Sequence, residues 1–355
     1  MAVVGSGLPA LAVALELSRR GARVVVLGAA SAEERPRGLG LVLLGPGRPY
    51  ARVVRALGRP AARLVWAAGC ESHLRLRALL EEARRECGYA ARGSFLLAVG
   101  RGDAAELAES EDMLRDDGFP GEFLDHYMLE TRFDLQGFAG AYWAAEDAEL
   151  DAALLLGVLG ERARVAGVAF APGPVRLVSA DASGATIETH EGVVRAGAAV
   201  VATDGAAAEV LPELQGLLRP AAPDRLRTVP LPGAILPTAL RTSDGRAAWQ
   251  ASGGAIVVAG TGPAEGAPPG GLESLLARVP VGSASSRWEE PAEVSADGLP
   301  LVGRLPGRAL AVACGFGAAS AGFAFAAARW VADALLAGSD PTPAPLRPTR
   351  SPAPV

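Results

Sequence analysis

The chain has 355 residues, 44 of them glycine and 27 proline, and half are hydrophobic against 21% charged. A mean hydropathy of +0.24 excludes a disordered chain, and the glycines lack the three-residue period of collagen. The net charge is −5 and all 34 basic residues are arginine, which excludes a nucleic-acid surface and any mechanism built on a lysine.

The first elements read as strand, turn, helix, strand. Ala2-Val3-Val4 is a short apolar run, and Gly5-Ser6-Gly7-Leu8-Pro9-Ala10 is the turn. A helix through Leu11, Leu15 and Leu17 stops at Gly21, a natural C′ residue. Arg23-Val24-Val25-Val26-Leu27 is a β-branched run of the kind a buried parallel strand requires. Residues 51–87 carry leucines at helical spacing with Gly and Pro breaks. Gly93–Val99 reads as a strand, 104–117 as an acidic amphipathic helix, and Leu154–Ala163 as a helix feeding a strand at Ala166–Phe170. Val175–Val178 and Ala185–Thr189 are expected to pair around Ser183-Gly184, with another buried run at Gly197–Ala202. Residues 224–262 alternate short strands with turns, as an antiparallel sheet would. A helix at 271–278, a strand near 308–314 and a helix at 321–337 follow. The Pro-rich stretch 339–355 reads as a disordered tail.

Gly5-x-Gly7-x-x-Ala10 is the dinucleotide fingerprint in its Gly/Ala form. The first glycine permits the tight turn, the second lets backbone approach a pyrophosphate, and a small third residue lets helix and strand pack closely. The helix that follows presents free N–H groups and its positive end, and Pro9 suits the first helical turn. The acid that should end the second strand and bind a ribose hydroxyl is missing, because Gly28 stands there, and Glu33 and Glu34 are the nearest acids.

Several ordered blocks now resemble one family. They are the opening GSGLPALAVALELSRRGARVVVL, the Gly184–Ala202 block, Gly271–Leu275, Ala296–Gly303 and Ala313–Gly317 with the helix after it. Together they resemble the D-amino-acid oxidase superfamily of FAD-dependent amine oxidoreductases, nearest its glycine oxidase and sarcosine oxidase branch, from Met1 to about Pro348. The resemblance implies an α/β fold in which a Rossmann-like FAD-binding domain (1–85, 146–215 and 288–338) is interleaved with an antiparallel-sheet substrate domain (86–145 and 216–287). It implies non-covalent FAD held by Gly5, Ser6, Gly7, Leu8, Pro9, Ala10, Gly28, Val175, Ala202, Thr203 and Gly303. Gly315, Phe316, Gly317, Ala318, Ala319 and Ser320 would offer backbone N–H groups to the flavin's pyrimidine edge, where a helix N-terminus stabilises developing negative charge. Cys314 is expected to be a small buried apolar residue rather than a flavin link.

The departures fall where substrate should bind. Ala318-Ala319-Ser320 replaces a Gly-His or Arg, and Ala247-Ala248-Trp249 stands where the family offers Tyr or Arg to a carboxylate. The substrate-facing candidates are Arg48, Tyr50 and Trp249, and His73, His126 and His190 share no motif. Cys70, Cys87 and Cys314 follow no metal or disulfide spacing, consistent with a metal-free protein in the reducing cytoplasm. No signal peptide is expected ahead of Gly5. The uncharged stretch Ala309–Ala328 is long enough to span a bilayer, but its glycines read as a buried strand–turn–helix. The chain is therefore expected to be an FAD enzyme that oxidises a small amine or amino acid by hydride transfer to flavin N5. The alternatives are a catalytically degenerate subunit that binds or scaffolds an active partner, and a nicotinamide-dependent dehydrogenase, which would leave the C-terminal blocks unexplained. A partner subunit or a homo-oligomer is compatible with either main reading.

Overall fold

A computed structural model describes residues 1–28, 39–81, 86–203, 205–221, 224–228, 236–252, 254–260, 284–289 and 292–350. The first half runs β1 (Ala2–Val4), α1 (Leu8–Arg19), β2 (Val25–Leu27), β3 (Gly40–Val42), α2 (Tyr50–Leu57), α3 (Arg59–Leu79) and β4 (Ser94–Ala98). It continues with α4 (Arg101–Asp116), β5 (Glu122–Asp125), α5 (His126–Phe133), β6 (Gly140–Ala144), β7 (Ala148–Leu150) and α6 (Ala152–Val165). Next come β8 (Ala169–Ala171), β9 (Val175–Ala180), β10 (Ala185–Thr189), β11 (Gly192–Ala196), β12 (Ala199–Val201) and α7 (Ala207–Val210). The last third holds β13 (Leu218–Ala221), β14 (Asp224–Thr228), β15 (Ala239–Thr242), β16 (Ala247–Ser252), β17 (Ala255–Gly260) and β18 (Ala284–Glu289). It closes with β19 (Ala292–Ser295), β20 (Leu301–Arg304), β21 (Leu310–Cys314) and α8 (Ser320–Ala332).

The order β20-β21-β12-β1-β2-β8 forms one six-stranded sheet, parallel throughout except for β20. Both faces of this sheet are covered, which is why its strands are unbroken apolar runs. Val3, Val26, Val200 and Ala311 meet α1, α6 and α8 on one side. Ala2, Val4, Val201 and Val312 meet Val178 and Ile187 of the β9–β11 meander on the other. Gly322 brings α8 so close to β3 that any side chain there would run into the Leu43 carbonyl.

A mixed eight-stranded sheet, β18-β14-β17-β16-β15-β4-β6-β5, lies beyond β3 and β7, which pair with each other. Side chains of its central strands alternate between the two faces. Phe95, Leu97, Leu240, Trp249 and Val258 form a core with Leu129 of α5, whereas Ala239 and Ala248 pack on Leu41 and Leu43. Gln250 joins the two halves, accepting from the Gly40 N–H at 2.7 Å and donating to the Leu150 carbonyl at 2.8 Å.

Two sequence expectations need revision. Trp249 is fully buried in the α5-side core, on the face opposite Ala248 and Gln250, because neighbouring strand residues point to opposite sides. The stretch after Ser339 is ordered as far as Arg350. Leu346 is buried, and Arg350 donates to both Asp297 carboxylate oxygens at 2.8 and 2.9 Å and to the Leu299 and Pro300 carbonyls. Proline composition there reflects an extended segment fixed by side-chain anchors. The helix expected at 271–278, Glu33, Glu34, Asp204 and residues 351–355 lie outside the described residues.

The uncharged stretch 309–328 is β21, a tight turn and most of α8. Ser320–Ala337 is long and apolar enough to cross a membrane, yet 67% of it is buried inside the protein.

Candidate active site

The fingerprint glycines do what the spacing requires. Gly5 has φ +127°, and a Cβ there would collide with the Ala202 carbonyl at the end of β12. Its N–H donates to the Leu27 carbonyl at 2.8 Å, drawing the ends of β1 and β2 together. Gly7 is the N-cap of α1, no side chain caps it, and Pro9 sits in the first turn. Ser6 precedes this turn, Leu8 and Ala10 are buried within it, and the first-turn amides are left as outward donors.

Gly28 has φ +87° and lies beside Gly5 and the Gly173 carbonyl, two residues before Val175 opens β9. Ala202 donates to the Val4 carbonyl at 2.8 Å. The next side chain, Thr203, has a buried hydroxyl with no partner in the protein. Gly5, Gly28, Gly173 and Thr203 thus converge at the carboxyl ends of parallel strands, the edge at which open α/β sheets bind ligands. An uncapped helix start, a glycine with no room for a side chain and an orphaned buried hydroxyl together fit a dinucleotide.

The second helix start is more constrained than its sequence suggests. Gly315, at φ +71°, packs on Leu218, and Gly317 packs on Val294. Phe316 is buried and forms a β-bridge with Val294. The Ala319 N–H, expected to face the flavin, donates instead to the Phe316 carbonyl at 3.0 Å, because Gly317–Ala319 is a 3₁₀ turn. Ala319 is also the N-cap of α8 and, like Gly7, has no side-chain cap, so the turn from Ala318 to Ser320 still leads into an open helix start. Cys314 is buried at the end of β21. Gly303 has φ +124°, and its open side meets Asp340 and Thr342 of the C-terminal segment. That face is filled by protein.

Arg48 and Tyr50 line one recess between the 45–49 loop, α4 and the eight-stranded sheet. The other walls include Trp66, Leu96, Leu114, Phe119, Tyr142, Asp147 and Arg241. Trp249 is not among them. Tyr50 donates its hydroxyl to Asp117 at 2.6 Å and packs edge-on against Trp66, and burial followed by the Asp117 contact raises its pKa well above the ordinary phenol value. Burial lowers the pKa of Arg48, and Arg52 and Arg219 lower it further, against Asp297.

Arg241, within β15, belongs to no motif in the sequence. It is 8% exposed, its Nη2 reaches Ser94 Oγ at 3.3 Å and Asp147 Oδ2 at 3.5 Å, and Nε and Nη1 have no partner. Burial lowers its pKa, opposed by Asp147. Asp147 also accepts from the Leu44 N–H at 2.9 Å and the Ser94 hydroxyl at 2.6 Å. His73 is buried beneath the same loop, and burial lowers its pKa against the nearby Asp147 carboxylate and Leu43 carbonyl. Among the described residues, no group of three or more His, Cys, Asp or Glu is placed to hold a metal.

A model of the DAO family, FAD-dependent oxidoreductases, matches residues 1–334. Comparison with curated proteins gives no match. Among solved structures, glycine oxidase from Geobacillus kaustophilus superposes with a TM-score of 0.78 at 25% identity, covering 99% of this chain and 98% of that one. L-Proline dehydrogenase from P. horikoshii gives 0.75 at 17% identity over 96% and 94%. Iminodiacetate oxidase from Chelativorans sp. BNC1 gives 0.74 at 18% identity over 98% of both.

Proposed function

Because the chain belongs to the DAO family of FAD-dependent oxidoreductases, we propose that it oxidises a small amine or amino acid by hydride transfer to N5 of non-covalently bound FAD. FAD when bound supplies the two-electron acceptor; the protein supplies orientation and electrostatics. The observation that carries the reading is the convergence of the uncapped α1 start, the Gly5 crevice and the orphaned Thr203 hydroxyl at one sheet edge. Gly5, Gly7 and the first turn of α1 would hold the pyrophosphate, with the helix's positive end facing its charge. Gly28 stands where the ribose-binding carboxylate would be expected, so among the described residues the adenosine would be held by backbone and by Thr203.

The open start of α8 offers positive potential in the sense that stabilises an anion. No side chain in the recess needs to act as an acid or base if the amine arrives neutral. The substrate-side residues then bind, orient and exclude water, as the apolar walls formed by Trp66, Leu96 and Phe119 would do.

The test is the visible spectrum of the purified protein, followed by anaerobic additions of small amines and amino acids. Flavin absorption that bleaches with one of them supports the reading. A colourless protein that takes up no added FAD overturns it and favours the scaffolding alternative. A yellow protein that no member of a broad panel bleaches overturns the oxidase chemistry while leaving the cofactor site in place.

A further inference from the structure

A second opening lies among the helices on the α1 side of the six-stranded sheet. Its volume is about 270 Å³, more than the roughly 150 Å³ of an engineered core cavity that holds a benzene ring. Buried Ala12 and Leu15 of α1 and Phe325 and Ala328 of α8 form its floor. Its rim carries Arg19 of α1, Arg75 of α3 and Arg162 of α6, and Glu16 is the one carboxylate among the described lining residues. Along α1 the lining begins at Ala12 and ends at Arg19, away from the Gly5–Gly7 turn at the dinucleotide edge. It shares no residue with the recess that holds Arg48 and Tyr50.

The positive charge at this rim is not used up within the protein. Glu16 is held by Arg20 at 2.6 Å, and Arg75 is paired with Glu71, which also binds Arg329. Half-buried Arg162 donates to the Leu79 carbonyl. Among the described residues, neither Arg162 nor exposed Arg19 has a carboxylate partner. Three guanidiniums thus meet one engaged carboxylate, on a chain whose net charge is −5. Arg19 and Arg162 lie in the last turns of α1 and α6, where a cation offsets the helix dipole. That accounts for a charge at each helix end, but not for their convergence with Arg75 around one apolar floor. Guanidinium donors beside buried carbon suit an anionic head on an apolar body. The head pairs with the fork of N–H groups, and the body leaves water.

We propose that this groove binds an organic monoanion with an apolar body, of the size and kind of a medium-chain carboxylate. The head would sit between Arg19 and Arg162, and the chain would lie on Leu15, Phe325 and Ala328. One occupant would touch α1, α3, α6 and α8 together, bracing the helical layer behind the six-stranded sheet and stabilising the fold by linkage. The proposal does not depend on the oxidation chemistry, since no lining residue belongs to the cofactor edge or to the recess.

The test is calorimetric titration of the purified full-length protein with octanoate, and with octanamide as a neutral probe of the same shape. The unmodified protein is expected to prefer octanoate by at least about tenfold, the size of effect of one charge-assisted contact. Arg19→Gln/Arg162→Gln is expected to reduce that preference to about twofold or less. Ala78 lines the groove from an exposed position on α3, so Ala78→Phe fills the opening without entering the core. It is expected to weaken octanoate binding by at least about tenfold. Thermal unfolding without ligand establishes that each variant is folded. Equal binding of the two probes by the unmodified protein overturns the proposal, and so does a failure to bind octanoate. Octanoate affinity that is undiminished in folded Ala78→Phe, or a preference that survives the double charge change, overturns it as well. In either case the anion sits elsewhere, and the arginines serve only their helix ends.

Discussion

Replacing Arg350 by alanine would strand one of the most buried carboxylates in the protein. Asp297 is 2% exposed and Arg350 is 11% exposed at its side chain. The guanidinium donates to both carboxylate oxygens and to two carbonyls of the turn that follows. After the change Asp297 keeps only the Ser295 hydroxyl at 2.7 Å and the Leu299 N–H at 3.0 Å. Removing one member of a buried pair costs about 3–5 kcal/mol, because the other charge remains desolvated. Urea unfolding at neutral pH should therefore show Arg350→Ala less stable by about that amount. Asp297→Asn in the same chain should recover a good part of it, since the amide oxygen can still accept from Leu299. Burial works against ionisation of Asp297, but the Arg350 and Ser295 hydrogen bonds win and hold its pKa below the usual value. A carboxyl whose pKa is depressed on folding contributes stability above its unfolded pKa, about 3.9 for Asp, and loses it as pH falls through the folded value. The gap between the two proteins should accordingly be full at pH 7 and narrow on acidification below about pH 4. A variant within about 0.5 kcal/mol of the original at neutral pH, the scatter of ordinary surface changes, would refute the reasoning.

Other consequences are as direct. Gly5→Ala should abolish FAD uptake, read as loss of flavin absorbance after reconstitution, because φ +127° and the Ala202 carbonyl leave no place for a methyl group. Trp249→Ala should lower stability by about 3–5 kcal/mol through core loss, measured by urea unfolding, while FAD uptake by the folded fraction is unchanged, since the ring lies in the α5-side core and not in the recess. Gly322→Ala should destabilise by about 1–3 kcal/mol, the usual cost of overpacking, measured by thermal unfolding, because α8 cannot move off the Leu43 carbonyl without disturbing β3.

What the sequence disclosed followed from how local each requirement is. The β1–α1–β2 unit was legible because Gly5, Gly7 and Pro9 answer to backbone geometry within a few residues, and the Val25–Leu27 run answers to burial on both faces. Arg48 and Tyr50 do reach a common recess, although Tyr50 spends its hydroxyl on Asp117, 67 residues away. Trp249 turns away from the recess because residue type identifies a strand but not which face a given position takes; that depends on pairing with Leu240 and Val258. Arg241 was invisible because its meaning lies in Asp147 and Ser94, 94 and 147 residues distant. The order of the C-terminal stretch is hidden for the same reason, since its proline content is local and the Arg350–Asp297 pair is not.

That stretch does more than hold a turn. β20 is the last strand of the six-stranded sheet, and an edge strand offers unpaired backbone groups to any other chain. Asp340 reaches the Arg304 N–H at 3.4 Å, and Asp340, Thr342 and Pro348 crowd the open side of Gly303. The segment therefore closes the edge with side chains in place of a further strand. Strip it away and the exposed ladder becomes a template for sheet-to-sheet association, so its removal should be felt first in solubility.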